Sequence, residues 1–430
     1  MKRRDFLGML ATTGAGLALA SKTRAQTLVG DEATLPFGDL NWSQIRDLFP
    51  LRRDRIYLNT GGLGPAPQVV LDAMQAQAER QAYEGEHGHG LFSGLRERTA
   101  AFLGADPEEI SFTRNATESN SIIAAGLSLK AGDEVIFESH AHPGGSVPWM
   151  NLQLRDGVKV RIFDPDHESP EGNLERIFDL VNERTKVIQV SHITAPTGLL
   201  FDSVAIARRA REMGIWFHID GAQSAGMIPV DLHALECDSY ATSGHKWLNG
   251  PQGTGILYIA RDGIDQVACS HIGAYSALEL ELPDVMTYAP RVSRHEYGTR
   301  DAASIVGLGM ALDLQDGIGR ERIAEHGRTL AGLARKELSR IDGVEILTPE
   351  RADMHASILT FRAAEFSAQD VAGRLVNDQG FRCRVVNERN LNAVRTSWHV
   401  YNDEAQTSAL AEAVAEVVRD LRKHSDQRRG

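Results

Sequence analysis

The sequence predicts an α/β protein, with a mostly parallel seven-stranded sheet sandwiched by helices and a smaller α+β region after it. Three observations support this class: short β-rich apolar runs, amphipathic helical patterns between most of them, and a change of pattern near residues 317–319. The apolar runs lack the alternation of a half-exposed strand, which indicates strands buried on both faces of a parallel sheet.

The first predicted elements are a helix and seven strands. After a polar stretch at 39–55, Pro65 and Pro67 open a helix whose apolar residues continue to Ala78. A second amphipathic pattern, Val204–Met213, separates two of the strands. The predicted strands are Ile110–Thr113, Glu134–Glu138, Lys159–Phe163, Val187–His192, Ile215–Ile219, Ser239–Thr242 and Gly255–Ile259.

The C-terminal region combines long helices with short strands, as expected for a small α+β domain. Its predicted helices are Arg320–Arg340 and Glu404–Arg422, and its predicted strands are Val344–Leu347, Ile358–Phe361 and Arg382–Val386. The chain is therefore divided into a signal at 1–25, an N-terminal arm at 26–60, a large domain at 61–316 and a small domain at 317–430.

Composition and charge exclude several classes of function. The 430 residues are 42% hydrophobic and 24% charged, which is ordinary for a globular protein. The net charge of −12 argues against nucleic acid or an anionic membrane as the main partner. Three cysteines cannot form a disulfide framework. The chain has no apolar run of the ~18 residues that a spanning helix needs, so stable membrane insertion is not expected.

The first 25 residues have the pattern of an export signal. A basic start precedes a stretch rich in small residues at 8–20, and Thr23 and Ala25 suit a signal peptidase. The Arg-Arg-Asp-Phe-Leu of residues 3–7 resembles the twin-arginine signal, which directs folded proteins across the bacterial inner membrane. We therefore expect the twin-arginine machinery as a partner and a periplasmic location. An ordinary amphipathic helix is the alternative.

Two predicted strand ends carry the reactive side chains. Asp220 ends one strand and is followed by Gly-Ala-Gln223, and the next strand runs into Ser243-Gly-His245-Lys246. Ligands bind at the carboxyl ends of parallel strands, so these residues are expected to meet. A lysine before a glycine-rich turn is often only solvated, but here two phosphate-capable donors and a carboxylate accompany it.

This set of side chains matches what pyridoxal 5′-phosphate (PLP) requires. The cofactor needs an amine for its aldehyde, a carboxylate at its ring nitrogen and donors around its phosphate. A carboxylate stabilises the protonated ring, which then accepts electrons from the substrate Cα. Gln223, three residues after Asp220, is placed to bond the ring hydroxyl.

The chain resembles the class V aminotransferase family, which includes cysteine desulfurases and isopenicillin N epimerase. The resemblance covers most of residues 50–420 and depends on Asp-Gly-Ala-Gln followed by Ser-Gly-His-Lys, 246 − 220 = 26 positions from acid to lysine. It implies the type I fold of PLP-dependent transferases. By the family pattern Lys246 binds the cofactor covalently, Asp220 contacts the ring nitrogen, Gln223 contacts the ring hydroxyl, and Ser243 and His245 bind the phosphate.

The resemblance also implies contacts farther along the chain. Ala116 and Thr117 open a helix after Asn115 and match the family's phosphate cup, although a plain N-cap is compatible with the same residues. His142 matches the aromatic residue that stacks on the cofactor ring; a surface histidine is the alternative. Thr299 resembles a residue that a second subunit lends to the phosphate, which implies a homodimer.

Three residues are expected to bind a small amine or amino-acid substrate. Arg395 matches the arginine for the substrate α-carboxylate, for which a guanidinium fork is well shaped. Asn59 lies in a loop that resembles the family's substrate-covering loop. Arg300 departs from the family pattern, since desulfurases have Pro at this position; from the neighbouring subunit it would meet a second acidic group, and a surface arginine is the equal alternative.

Two departures from the desulfurase pattern narrow the reaction. Residues 385–393, where desulfurases carry a nucleophilic cysteine, contain none, and Cys383 falls in an alternating strand pattern. Desulfuration through a persulfide on the protein is therefore not expected. Ala195 stands where desulfurases have Asn, which leaves Gln223, or Thr194 as a substitute, for the ring hydroxyl.

These observations predict a PLP-dependent enzyme that acts at the Cα of an amino acid or peptide-borne amine. It would be epimerase- or aminotransferase-like and would tailor a secondary metabolite such as a siderophore. Racemisation, transamination, elimination and decarboxylation all stay open. The alternatives are a C–S lyase without a protein cysteine and an exported binding protein on a degenerate fold. Metal binding by His87 and His89, or by His140 and His142, lacks further ligands in the sequence.

Overall fold

A computed structural model describes residues 37–429. The predicted export signal at 1–25 and the first part of the arm lie outside the described residues. Among the described helices, none is both long and apolar enough to cross a membrane.

The centre of the fold is a seven-stranded sheet. Its strands are β2 (Ile110–Thr113), β3 (Glu134–Glu138), β4 (Lys159–Phe163), β5 (Thr185–Ser191), β6 (Trp216–Asp220), β7 (Ser239–Ser243) and β8 (Gly255–Ile259), and β1 (Ile56–Tyr57) precedes them outside this sheet. The strand order is β2-β8-β7-β6-β5-β3-β4. Only β8 runs against its two neighbours, and the other pairs are parallel. The predicted fold class is confirmed.

Helices cover both faces of this sheet because alternate residues of each strand point to opposite sides. The helices are α1 (Trp42–Asp47), α2 (Gln68–Glu84), α3 (Leu91–Leu103), α4 (Ala116–Gly126), α5 (Pro143–Asp156), α6 (Pro170–Phe178), α7 (Ser203–Glu212), α8 (Leu232–Leu235) and α9 (Ala302–Ile318). On one face Ile136 and Ile188 pack in a cluster with α3, α6, α7 and α9. On the other face Val135 and Val187 pack with α4 and α5.

A second, antiparallel sheet lies in the C-terminal region. Two exposed strands, β9 (Ala277–Glu281) and β10 (Val285–Tyr288), form a hairpin before it. Its strands are β11 (Val344–Ile346), β12 (Ile358–Ala363), β14 (Arg384–Val386) and β15 (Ala393–Ser397), in the order β11-β12-β15-β14. The short strand β13 (Phe381–Arg382) pairs with β1. Helices α10 (Arg320–Leu338), α11 (Ala368–Asn377) and α12 (Glu404–Arg429) share a separate apolar cluster with this sheet.

The predicted bounds agree with the structure to within about two residues for the seven strands of the central sheet. Four of them, β2, β3, β4 and β8, have the predicted ends. Several elements were not predicted: the helices α1, α3, α9 and α11, and the strands β1, β9, β10 and β15. Of these, β15 carries Arg395, which lines the cavity described next.

Candidate active site

A cavity of about 330 Å³ opens at the carboxyl ends of β6 and β7. Nine of the residues predicted from the sequence line it: Ala116, Thr117, His142, Asp220, Gln223, Ser243, His245, Lys246 and Arg395. They come from segments up to 279 positions apart (395 − 116), and the parallel strands bring them together because successive strands end at the same edge of the sheet. Asn59 touches this set through Arg395.

Lys246 lies three residues beyond the end of β7, in a turn that the N-terminal loop covers. Gly64 packs so closely on the Lys246 carbonyl that a Cβ at Gly64 would overlap it. Burial lowers the pKa of Lys246 from 10.5 to about 8. The nearby Asp220 carboxylate opposes this shift, and repulsion from Arg395 and Arg384 adds to it. The amine is therefore far closer to its neutral, nucleophilic form at pH 7 than an exposed lysine.

Asp220 is the last residue of β6 and is 5% exposed. Its Oδ1 accepts from the Ala222 backbone N–H (3.1 Å), and its Oδ2 accepts from Asn120 Nδ2 (3.1 Å). Each carboxylate oxygen therefore accepts a hydrogen bond, which fixes the orientation of the group. Asn120 was not predicted from the sequence; its signal is weak, a polar residue one helical turn after Ala116.

The N-terminus of α4 forms one wall of the cavity. Asn115 caps the helix by accepting from the Glu118 N–H (2.9 Å), so the plain N-cap is present. The Ala116 N–H donates to Ser243 Oγ (3.0 Å), which joins this helix to the end of β7. An N-terminus with free backbone amides and a favourable dipole suits an anion. The Nδ1 of His245 is buried and has no hydrogen-bond partner among the described residues.

Arg395 is 1% exposed on β15 and pairs with no carboxylate in the described part of the chain. Its Nη1 donates to the Ala195 carbonyl (3.0 Å), its Nη2 donates to Asn59 Oδ1 (3.1 Å), and its Nε is unpartnered. Burial lowers its pKa to about 9. Arg384, directly opposite on β14, also lines the cavity and is paired with Glu388; it was missed because it lies in an ordinary strand pattern.

The ring-hydroxyl candidates differ in their surroundings. Gln223 lines the cavity, where its Nε2 donates to the Gly61 carbonyl (2.9 Å) and its Oε1 accepts from Trp247 Nε1 (2.7 Å). Thr194, the proposed substitute, is not in the cavity wall; its hydroxyl accepts from the Leu199 N–H (3.0 Å). Gln223 is the better placed of the two.

His142 caps α5 and lines the cavity. Its Nδ1 accepts from the Gly144 N–H (3.0 Å), which fixes the ring at the rim of the cavity, and the residue is exposed there. Stacking on the cofactor ring and a surface position are both compatible with this place. His140 instead contacts Thr197 (3.4 Å) and the His167 ring, and does not form a ligand pair with His142.

Thr299 and Arg300 lie outside this cavity within one chain. Both line a second cavity of about 250 Å³ beside β2 and α9. Arg300 forms an ion pair with Glu296, and its guanidinium carbon lies 3.8 Å from the centroid of the Phe92 ring. Within one chain Arg300 is therefore a partly exposed, ion-paired residue away from the Lys246 cavity. A role for either residue at the Lys246 cavity requires a second subunit and stays a prediction.

The fold and this site define an enzyme of the PLP-dependent, type I transferase class. The family model described as aminotransferase class-V matches residues 56–410, so the chain belongs to that family. A probable cysteine desulfurase of Methanothermobacter thermautotrophicus is 31% identical over 396 residues, covering 87% of this chain and 97% of the relative. Isopenicillin N epimerase of Amycolatopsis lactamdurans is 30% identical over 394 residues, covering 87% and 98%.

Solved structures agree with this assignment. The cysteine desulfurase CsdA from Escherichia coli has a TM-score of 0.79 at 26% identity, covering 88% of this chain and 99% of that chain. A variant of C-DES with glycine covalently linked to its PLP cofactor has a TM-score of 0.79 at 25% identity, covering 86% and 98%. C-DES in complex with its product cysteine persulfide, described as a cystine C-S lyase, has a TM-score of 0.78 at 25% identity, covering 85% and 99%.

PLP is accordingly the cofactor of this chain, and the residues present fit it. The cavity offers a buried amine of lowered pKa, a carboxylate held by two donors, and a helix N-terminus beside Ser243. It also leaves two buried polar groups without partners among the described residues, at His245 and Arg395. Unpartnered buried polar groups are costly, so a ligand that satisfies them is expected.

Proposed function

We propose that this chain acts at the Cα of an amino acid or peptide-borne amine, as an epimerase- or aminotransferase-like enzyme. The observation that carries the proposal is the meeting of Lys246, Asp220 and Arg395 in one cavity that no cysteine lines. An amine, a ring-nitrogen carboxylate and a carboxylate receptor are together what Cα chemistry on an amino acid needs.

Lys246 and Asp220 have the central roles in this proposal. When bound, PLP withdraws electrons from the Cα of an amine joined to it. The Lys246 amine holds the cofactor and, once a substrate amine takes its place, removes or returns the Cα proton at Nζ. A pKa of about 8 suits both directions of transfer near neutral pH. Asp220 keeps a proton on the ring nitrogen, because its carboxylate is itself stabilised by Asn120 and Ala222.

The remaining cavity residues bind the two ends of the complex. We assign the cofactor phosphate to the α4 N-terminus at Ala116 and Thr117, with Ser243 and His245. At the other end of the cavity Arg395 and Asn59 receive the substrate α-carboxylate. The Nε of the buried Arg395 guanidinium has no hydrogen-bond partner among the described residues, and Nη2 donates to Asn59. A carboxylate at this guanidinium would therefore gain charge-assisted hydrogen bonds.

His142, Gln223 and a second subunit complete the proposed site. His142 stacks on the cofactor ring, and Gln223 contacts the ring hydroxyl. We further propose a homodimer in which the partner subunit's Thr299 reaches the phosphate and the partner subunit's Arg300 approaches the substrate. Gel filtration tests the homodimer: a monomer at micromolar concentration with full activity would contradict it.

The cysteines argue against desulfuration through a persulfide on the protein. All three cysteines of the sequence lie in the described part of the chain, and none lines the cavity. Cys383 is 3% exposed, and burial raises its pKa to about 11, so its thiol is not a nucleophile at neutral pH. The desulfurase relatives share the fold and the cofactor with this chain. Our proposal for this chain does not include persulfide formation on a protein cysteine.

A C–S lyase that needs no protein cysteine is the second candidate function. The similarity to C-DES, described as a cystine C-S lyase, favours it. The two candidates differ in their products. Solvent deuterium at Cα without a keto acid indicates epimerisation, pyridoxamine phosphate indicates transamination, and pyruvate or sulfide release indicates the lyase.

We also propose export in the folded, cofactor-loaded state to the periplasm, where the enzyme would tailor a secondary metabolite such as a siderophore. The support is the sequence of residues 1–25, with its paired arginines. Replacing Arg3 and Arg4 by lysine should keep the protein in the cytoplasm in cell fractionation. Secretion unchanged by this double substitution would contradict the twin-arginine route.

The direct test of the site is covalent labelling of Lys246. Holoenzyme should be yellow, and borohydride followed by peptide mapping should find the cofactor on Lys246. Lys246→Ala should lose both the visible band and the label, while Lys159→Ala, an exposed lysine on β4, should keep both. Label on another lysine in the wild type would overturn the proposed site.

A further inference from the structure

A chain of hydrogen bonds runs behind Asp220 through the interior of the sheet. Trp216 Nε1 lies 2.9 Å from Ser239 Oγ, and Ser239 Oγ lies 2.8 Å from His218 Nδ1. His218 Nε2 lies 2.8 Å from Asn120 Oδ1, and Asn120 Nδ2 lies 3.1 Å from Asp220 Oδ2. Every member is buried, and only Asn120 and Asp220 reach the cavity.

The far end of this hydrogen-bond chain is compatible with either direction. An indole N–H is a donor only, so Ser239 must accept from Trp216. A hydroxyl keeps a second lone pair as well as its own proton, so Ser239 can either accept from or donate to His218 Nδ1.

The near end of the hydrogen-bond chain sets its direction. Asn120 Nδ2 also lies 3.2 Å from the Gly144 carbonyl oxygen, which can only accept. The amide must therefore present Nδ2 to Gly144 and to Asp220, and Oδ1 to His218. An amide turned the other way would place an oxygen against the Asp220 carboxylate. His218 Nε2 must therefore donate to Asn120 Oδ1, so in a neutral imidazole Nδ1 accepts from Ser239 and each link donates toward Asp220.

His218 stays uncharged in this arrangement. Burial lowers its pKa to about 4, with the Asp220 charge opposing that shift. The groups that face it from the neighbouring elements are Asn120 on α4, Ser239 on β7 and Gln189 on β5, and all three are neutral. The charge of this buried network is therefore confined to Asp220.

We propose that Asn120 and His218 are positioning residues that hold Asp220 as an oriented acceptor for the ring nitrogen of PLP. This inference rests on the proposed role of Asp220. With Asn120 donating to Oδ2 and the Ala222 N–H donating to Oδ1, the carboxylate is fixed in its plane. Asp220 also lines the cavity. His218 acts only through Asn120, by fixing which amide atom faces Asp220.

The first experiment measures the His218 tautomer in the apoprotein. Imidazole ¹⁵N resonances, assigned by comparison with His218→Gln, should show a proton on Nε2 and none on Nδ1, unchanged between pH 6 and pH 8. A proton on Nδ1, or a titration in this range, would overturn the arrangement. No cofactor is involved, so this result is independent of whether Lys246 binds PLP.

The second experiment reverses the last link with a near-isosteric substitution. Asn120→Asp replaces the donor to Asp220 by an oxygen, so the dissociation constant for PLP at pH 8 should rise roughly 10- to 100-fold, as expected when a hydrogen bond to a charged group is lost.

The matched control is Asn173→Asp, which puts a carboxylate at another buried amide whose Nδ2 donates to the Asp166 carbonyl oxygen (2.7 Å). It should leave the PLP affinity within about 2-fold. An Asn120→Asp affinity equal to that of the control would refute the positioning role. Should Asn120→Asp fail to fold, the tautomer measurement on the wild type still decides the direction of the hydrogen bonds.

Discussion

Replacing Lys246 by methionine should stabilise the apoprotein while abolishing activity. The free energy involved follows from the pKa of the buried amine. A fall from 10.5 to about 8 means that folding disfavours the charged form by about 3 kcal/mol, since each tenfold change in proton affinity is about 1.4 kcal/mol. Methionine has a similar length and no charge, so Lys246→Met should recover about 1–3 kcal/mol of unfolding free energy at pH 7.

The pH dependence of this gain has a defined sign. The unfolded chain keeps a proton on the lysine up to about pH 10.5, whereas the folded chain loses it near 8. The penalty is therefore complete below pH 8, declines between pH 8 and 10.5, and vanishes above. Urea denaturation of apoprotein at pH 7 and pH 10.5 measures both values.

The control for this experiment is Lys336→Met on α10, an exposed lysine at which substitution should change stability by less than about 0.5 kcal/mol. If Lys246→Met were no more stable than wild type at pH 7, the amine would not be desolvated as described. A gain that persisted at pH 10.5 would show that packing rather than charge was responsible.

Three further results are expected. The rate of PLP incorporation into apoprotein should rise with pH to a midpoint near 8, and the growth of the visible absorption band measures this rate. A midpoint above 10 would contradict the lowered pKa of Lys246. Arg395→Lys should raise KM for an amino acid roughly 10-fold or more with a smaller effect on kcat, because a forked, charge-assisted contact is lost; steady-state kinetics test this, and an unchanged KM would place the substrate carboxylate elsewhere. Cys383→Ala should leave kcat unchanged and lower the free energy of unfolding by about 1 kcal/mol through lost packing; a loss of turnover with normal stability would restore a role for that thiol.

The sequence predicted most of the cavity because its chemistry lies at strand ends. Asp220 and Ser243 close two buried strands, and the rule that parallel strands end at one edge of a sheet brings them together without any coordinates. Asn120 and Arg384 were missed because each sits in an ordinary helix or strand pattern. Only the packing of those elements shows that their side chains turn toward the cavity.

Local pattern therefore determined the class of fold, the strand bounds and the residues able to bind PLP, because these depend on residue type and on periodicities of a few positions. Tertiary structure decided the quantities that depend on distant neighbours. The pKa of Lys246 is lowered by burial under a loop more than 180 positions away, at Gly64, and by the arginines of the second sheet. Two further features depend on contacts between elements that are far apart in the chain. They are the separation of Thr299 from the cavity and the direction of the hydrogen bonds behind Asp220.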